Sequence, residues 1–73
     1  MNVIYESEYI RADGKKFYLF IFQLQGLVNV HICDVVDNRP QIANILHNYI
    51  TTINSNNLGA LVNEAENFAR NLV

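Results

Sequence analysis

The chain has 73 residues, of which 51% are hydrophobic and 16% are charged, and its formal net charge is −2. The length predicts a single domain over residues 1–73, and the hydrophobic content excludes a disordered chain. The acidic balance argues against a protein that binds nucleic acid, because such domains carry a basic excess that meets phosphates.

The single cysteine, Cys33, bears on both stability and location. Small domains usually add a disulfide, a metal or a second subunit to a thin core. One cysteine cannot form an internal disulfide, so a second subunit is favoured, and the scarcity of cysteine suggests a reducing compartment. The first residues show no signal-peptide pattern, and Asp34 interrupts the most apolar segment. We therefore expect a cytoplasmic protein without a membrane span.

The first half of the chain has the pattern of three strands. Residues 2–10 alternate between polar and apolar side chains, residues 16–25 are apolar on both sides, and residues 27–36 are rich in β-branched side chains. Asp13-Gly14 is a strong hairpin signal, and Gly26 marks the next turn. These short links predict an antiparallel meander with residues 16–25 in the middle.

The second half changes to a helical period. Asp37 or Asn38 can cap a first helix, and Pro40 suits its first turn. The apolar stripe of that helix is formed by Ile42, Leu46, Tyr49, Ile50 and Ile53. Asn56 or Asn57 can cap a second helix, whose stripe is formed by Leu58, Leu61, Val62, Ala65, Phe68, Ala69 and Leu72. The predicted fold is an α+β two-layer sandwich of order β-β-β-α-α, with both helices packed on one sheet face.

Loop lengths decide which residues face the helices. A two- or four-residue loop at Asp13-Gly14 would pair Tyr9 with Tyr18, and a three-residue loop over residues 25–27 would pair Leu24 with Val28. These registers predict a helix-facing core formed by Val3, Tyr5, Tyr9, Tyr18, Phe20, Phe22, Leu24, Val28, Val30 and Ile32. A slip of one residue would exchange the faces of the third strand.

The opposite sheet face is predicted to be uncovered. An apolar stripe runs down its centre, with Glu6 and Glu8 on one side and residues of the third strand on the other. An apolar centre inside a polar rim is typical of a protein interface. We predict an interface formed by Phe17, Leu19, Ile21, Asn29, His31, Cys33 and Val35.

Two hypotheses of function depend on this face. The first is a small intracellular, non-enzymatic interaction or regulatory protein that forms a homodimer through the outer face or by pairing the edge strand over residues 27–36. The second is a binding module of the kind found in phages or mobile elements, which docks on a host protein. Both predict a protein partner, and neither requires a cofactor, a nucleic acid or a membrane.

A third hypothesis is a thiol or metal site at His31 and Cys33, which lie two residues apart on one strand and so point the same way. A structural zinc ion needs four ligands, and the other histidine, His47, is predicted on the helix side of the sheet. The sequence contains no glycine-rich phosphate loop, and a flat sheet face offers no pocket. We therefore expect no catalytic residues, no bound metal and no enzyme activity.

Overall fold

The computed structural model describes residues 1–72, which form four strands followed by one helix. The strands are β1 (Asn2–Ile10), β2 (Lys16–Leu24), β3 (Leu27–Val36) and β4 (Arg39–Thr51), and the helix is α1 (Leu58–Asn71). All neighbouring strands are antiparallel in the order β1-β2-β3-β4, and α1 packs on one face of the sheet. The α+β class fits the prediction, but the β-β-β-α-α order is wrong because the predicted first helix is β4.

Asp37 and Asn38, interpreted above as a helix cap, form the two-residue turn between β3 and β4. Their φ angles are 53° and 62°, so both residues are left-handed, as a type I′ hairpin turn requires. Asn and Asp tolerate this conformation better than other residues with a side chain. The turn places Val36 opposite Arg39. Pro40 then lies on an edge strand, where a missing N–H is tolerated.

The apolar residues after Pro40 fit both a helical period and a strand period, and the segment forms a strand. His47, Tyr49 and Thr51 alternate onto the α1 side of the sheet, opposite β3 residues that form the core. Its many isoleucine and threonine residues are β-branched and favour a strand. Register shifts near Cys33 leave much of residues 42–46 outside the regular ladder, so that β4 bulges there. The bulge interrupts the alternation at Ile42 and Leu46, two of the residues of the predicted helical stripe.

The first hairpin has a three-residue loop rather than the two or four residues predicted. The N–H of Gly14 donates to the carbonyl of Arg11 at 2.8 Å, and the N–H of Arg11 donates to the carbonyl of Lys15 at 2.8 Å. Gly14 has a φ of 88°, which completes a turn of the glycine-bulge type. Tyr9 therefore pairs with Phe17 rather than with Tyr18.

The second hairpin also differs from the prediction by one residue. Gln25 and Gly26 have φ angles of 53° and 79° and form a two-residue type I′ turn. Leu24 therefore pairs with Leu27 rather than with Val28. Each one-residue shift exchanges the two faces of the neighbouring strand relative to those of β2.

Together the two shifts move the core to the other side of β2. Phe17, Leu19 and Ile21 are at most 2% exposed and lie beneath α1. The remaining buried members of this cluster are Val28, Val30, Ile32, Leu61, Ala65 and Ala69. The predicted helix-facing side of β2 was therefore wrong, because Tyr18, Phe20, Phe22 and Leu24 lie on the face opposite α1, where Tyr18 and Phe22 are nevertheless buried. The predicted core positions Val28, Val30 and Ile32 on β3 are confirmed.

Polar groups hold both ends of α1. The side chain of Asn57 accepts a hydrogen bond from the N–H of Ala60 at 3.3 Å, which makes it the N-cap. At the other end, the guanidinium of Arg11 donates to the carbonyls of Leu72 and, at 3.4 Å, Ala69. This places a cation at the negative end of the helix. Within residues 1–72, no helix has both the length and the apolar character needed to cross a membrane.

Candidate functional site

The candidate site is the sheet face opposite α1, here called the outer face. The helix α1 does not cover this face, since it packs on the core side, although Cys33, Phe22 and Tyr18 on the outer face are only 0%, 6% and 9% exposed. Strand pairing arranges its residues in three rows that run from β1 to β4. The rows are Val3–Phe22–Asn29–Ile50, Glu6–Phe20–His31–Asn48 and Glu8–Tyr18–Cys33–Ile45.

Aromatic rings form the centre of the outer face. Along β2, the ring centroids of Tyr18 and Phe20 are 6.4 Å apart, and those of Phe20 and Phe22 are 5.1 Å apart. His31 on β3 approaches Phe22 at 4.9 Å and Phe20 at 6.4 Å. Pairs at these separations attract one another. The four rings therefore form one cluster across the two central strands, in which Phe20 and His31 are partly exposed and Tyr18 and Phe22 are buried.

Aliphatic side chains extend this surface outward. Five of them on the outer face are between 41% and 59% exposed, namely Val3, Leu24, Leu27, Ile45 and Ile50. Glu6 and Glu8 border the patch on β1, and Asn48 borders it on β4. An apolar patch with a polar border is the usual composition of an interaction surface.

The carboxylates of the outer face lie along β1, and Lys16 lies at the start of β2 on the same face. The hydroxyl of Tyr18 donates a hydrogen bond to the carboxylate of Glu6. Burial, and to a lesser extent this carboxylate, raises the pKa of Tyr18 to about 12. Tyr18 is thus a neutral donor near neutral pH and fixes the orientation of Glu6. Burial lowers the pKa of His31, which favours the neutral imidazole at the centre of the face.

The structure separates the predicted interface residues into two groups. Asn29, His31 and Cys33 lie on the outer face, and Val35 follows them on β3. The stripe of Phe17, Leu19 and Ile21 lies on the opposite face beneath α1, so its predicted exposure was wrong. The aromatic residues that replace it were assigned to the core in the sequence analysis. The signal for them was present, because both sides of β2 are apolar.

Cys33 and His31 do not form a reactive pair in this arrangement. Cys33 is 0% exposed, its Sγ lies 3.9 Å from the carbonyl oxygen of Ile42, and burial raises the pKa of its thiol. A raised pKa disfavours the thiolate that nucleophilic or metal chemistry requires. His47 lies on the core side, stacked on Phe68 at 4.8 Å. Among residues 1–72, no three His, Cys, Asp or Glu side chains converge as a metal site would require.

No family model, curated protein or solved structure matches the chain. The functional interpretation therefore depends on the geometry and chemistry of the outer face.

Proposed function

We propose that this domain is a cytoplasmic, non-enzymatic interaction module that forms a homodimer, in which the outer faces of two copies pack against each other. The observation that carries the proposal is the aromatic cluster of Tyr18, Phe20, Phe22 and His31 on the side of the sheet that α1 leaves uncovered, together with the exposed aliphatic side chains around it. Two sheets packed face to face bury such side chains in a layer about 10 Å thick. A second copy would thus cover the outer face, just as α1 covers the opposite side of the sheet within one chain.

The size of the outer face suits a stable pair. The molecule measures 33 × 22 × 17 Å, so the largest face that it can present has an outline of about 700 Å². Two such faces correspond to roughly 1,400 Å² in a dimer. Specific interfaces bury about 1,200–2,000 Å² in total, so the full face, but not a fraction of it, reaches the required size.

Packing of faces is favoured over pairing of edge strands. The β1 edge has a register shift between Val3 and Tyr5, and the β4 edge bulges over residues 42–46. Bulges distort the row of backbone groups that an added strand would need. Neither edge therefore offers a long regular template to a second copy.

Sedimentation velocity at micromolar concentration tests the proposal. The wild-type chain is expected to sediment as a dimer. Phe20→Glu, which places a carboxylate at the centre of the face, is expected to give a folded monomer by circular dichroism. The matched control is Asn63→Glu on the exposed side of α1, which adds the same charge elsewhere and should leave the dimer intact.

A wild-type chain that stays monomeric across the concentration range would overturn the proposal. A dimer that survives Phe20→Glu would also overturn it, because the contact would then lie outside the outer face.

A further inference from the structure

We infer that the two-fold axis of the dimer runs along the strands, so that β1 of each copy lies over β4 of the other. This inference depends on the proposed homodimer and specifies which residues of the outer face meet. The partner it identifies is a second copy of this chain in one orientation.

Symmetry leaves two aligned arrangements for identical sheets packed face to face. The two-fold axis lies between the sheets and runs either along the strands or across them. An axis across the strands places β1 over its own copy. Glu6 and Glu8 of both copies would then meet along one border, where like charges repel. The borders formed by β4 would meet without any compensating cation on Asn48 or Ile50.

An axis along the strands removes that conflict. Such an axis does not change the position of a residue along the strand direction, but it reverses the order of the strands. Each row of one copy therefore lies over the same row of the second copy, with β1 over β4 and β2 over β3. In the central row, Glu6 faces Asn48 of the second copy, whose side-chain N–H can donate to the carboxylate. In the same row, Phe20 faces His31, which joins the two aromatic centres.

The other two rows are compatible with the same orientation. Val3 faces Ile50 of the second copy, so two exposed aliphatic side chains of the two borders cover one another. Tyr18 faces Cys33, which is already buried. Glu8 faces Ile45 at the outer border, where its carboxylate keeps contact with water. The acidic side of each copy thus meets an uncharged side of the other.

Cross-linking between two chains of different mass distinguishes the axes. One chain carries Glu6→Cys and the other Asn48→Cys, and both positions are exposed in a single copy. They are mixed and treated with a short bis-maleimide able to bridge the roughly 10 Å between packed sheets. The expected product joins the two different chains, several-fold above either chain joined to itself. The wild-type chain, with its buried Cys33, measures the background.

Self-linked Glu6→Cys or Asn48→Cys chains would overturn the inferred axis and leave the dimer proposal standing. A dimer that gives no cross-link in any mixture would overturn the axis as well. A monomeric wild-type chain in sedimentation would remove the proposed function and this inference together.

A second variant removes the dependence on thiol chemistry. Asn48→Lys should tighten the dimer about two- to thirtyfold at low salt, the range of two exposed ion pairs, because the two-fold axis would place each lysine opposite Glu6 of the other copy. Asn63→Lys on α1 is the control for net charge. Weaker association of Asn48→Lys would contradict the inferred axis, since lysines would then face each other.

Discussion

The imidazole of His31 lies edge-on against the ring of Phe22, with centroids 4.9 Å apart and an interplanar angle of 87°. This position on the outer face removes part of the imidazole from water, and the resulting desolvation lowers its pKa from the ordinary value of 6.5. The folded chain therefore prefers the neutral side chain, whereas the unfolded chain takes up a proton near the ordinary value.

Stability is expected to fall as the pH falls below about 6.5, because the unfolded state then binds more protons than the folded state. The contribution of His31 is fully present above that pH and is lost by the time the lowered pKa is reached. Urea unfolding between about pH 5 and pH 8 measures the effect. His31→Gln should flatten this part of the curve, and parallel curves for the two proteins would contradict the assignment.

Arg11 connects the first hairpin to the end of α1. Its guanidinium donates to the carbonyl of Leu72 and is held by two hydrogen bonds to Asp13, at 2.8 and 3.0 Å. Arg11→Ala is expected to lower the thermal unfolding midpoint and to increase amide hydrogen exchange in the last turn of α1. Arg11→Lys should have a smaller effect, since it keeps the charge but loses the fork of donors. Exchange in Arg11→Lys equal to that of the wild type would show that charge alone is sufficient.

Leu19 and Phe20 are neighbours on β2 that face opposite sides of the sheet. Leu19→Ala removes a side chain that is 1% exposed and should cost about 2–5 kcal/mol of unfolding free energy. Phe20→Ala should cost less in a monomeric sample and should mainly weaken association. Urea unfolding and sedimentation of the two variants separate these effects. A larger loss of stability for Phe20→Ala would favour the core that the sequence analysis predicted.

The turn at Asp37 and Asn38 distinguishes a hairpin from a helix cap. Asn38 has a φ of 62°, so Asn38→Val should cost about 1–2 kcal/mol, whereas Asn38→Gly should be neutral or stabilising. Chemical denaturation measures both. A nuclear Overhauser contact between Val30 and Tyr49, which pair across β3 and β4, provides the structural check. Helical contacts within residues 41–53 would refute the hairpin.

Sequence reasoning identified the first three strands and the last helix because their signals are local. It assigned a helix with Pro40 in its first turn and a stripe from Ile42 to Ile53, because Asp37-Asn38 followed by Pro40 suits a helix start. The same dipeptide also suits a type I′ turn. Local propensity does not distinguish these readings. The choice depends on pairing with β3, which is a tertiary contact.

The outer face was missed for a different reason. Both sides of β2 are apolar, so the strand itself does not specify which side is buried. That choice depends on the lengths of the two hairpin loops, and each was predicted one residue away from the observed value. Because the side-chain period of a strand is two residues, these errors exchanged the core stripe with Tyr18, Phe20 and Phe22.

The order of the elements has a consequence for folding. All four strands precede α1, and each pairs with the strand before it in the chain, so the meander needs contacts only between neighbouring segments. The helix then docks on a sheet whose second strand is apolar on both sides. Until it docks, both sides of that sheet can be contacted by another chain or by a chaperone.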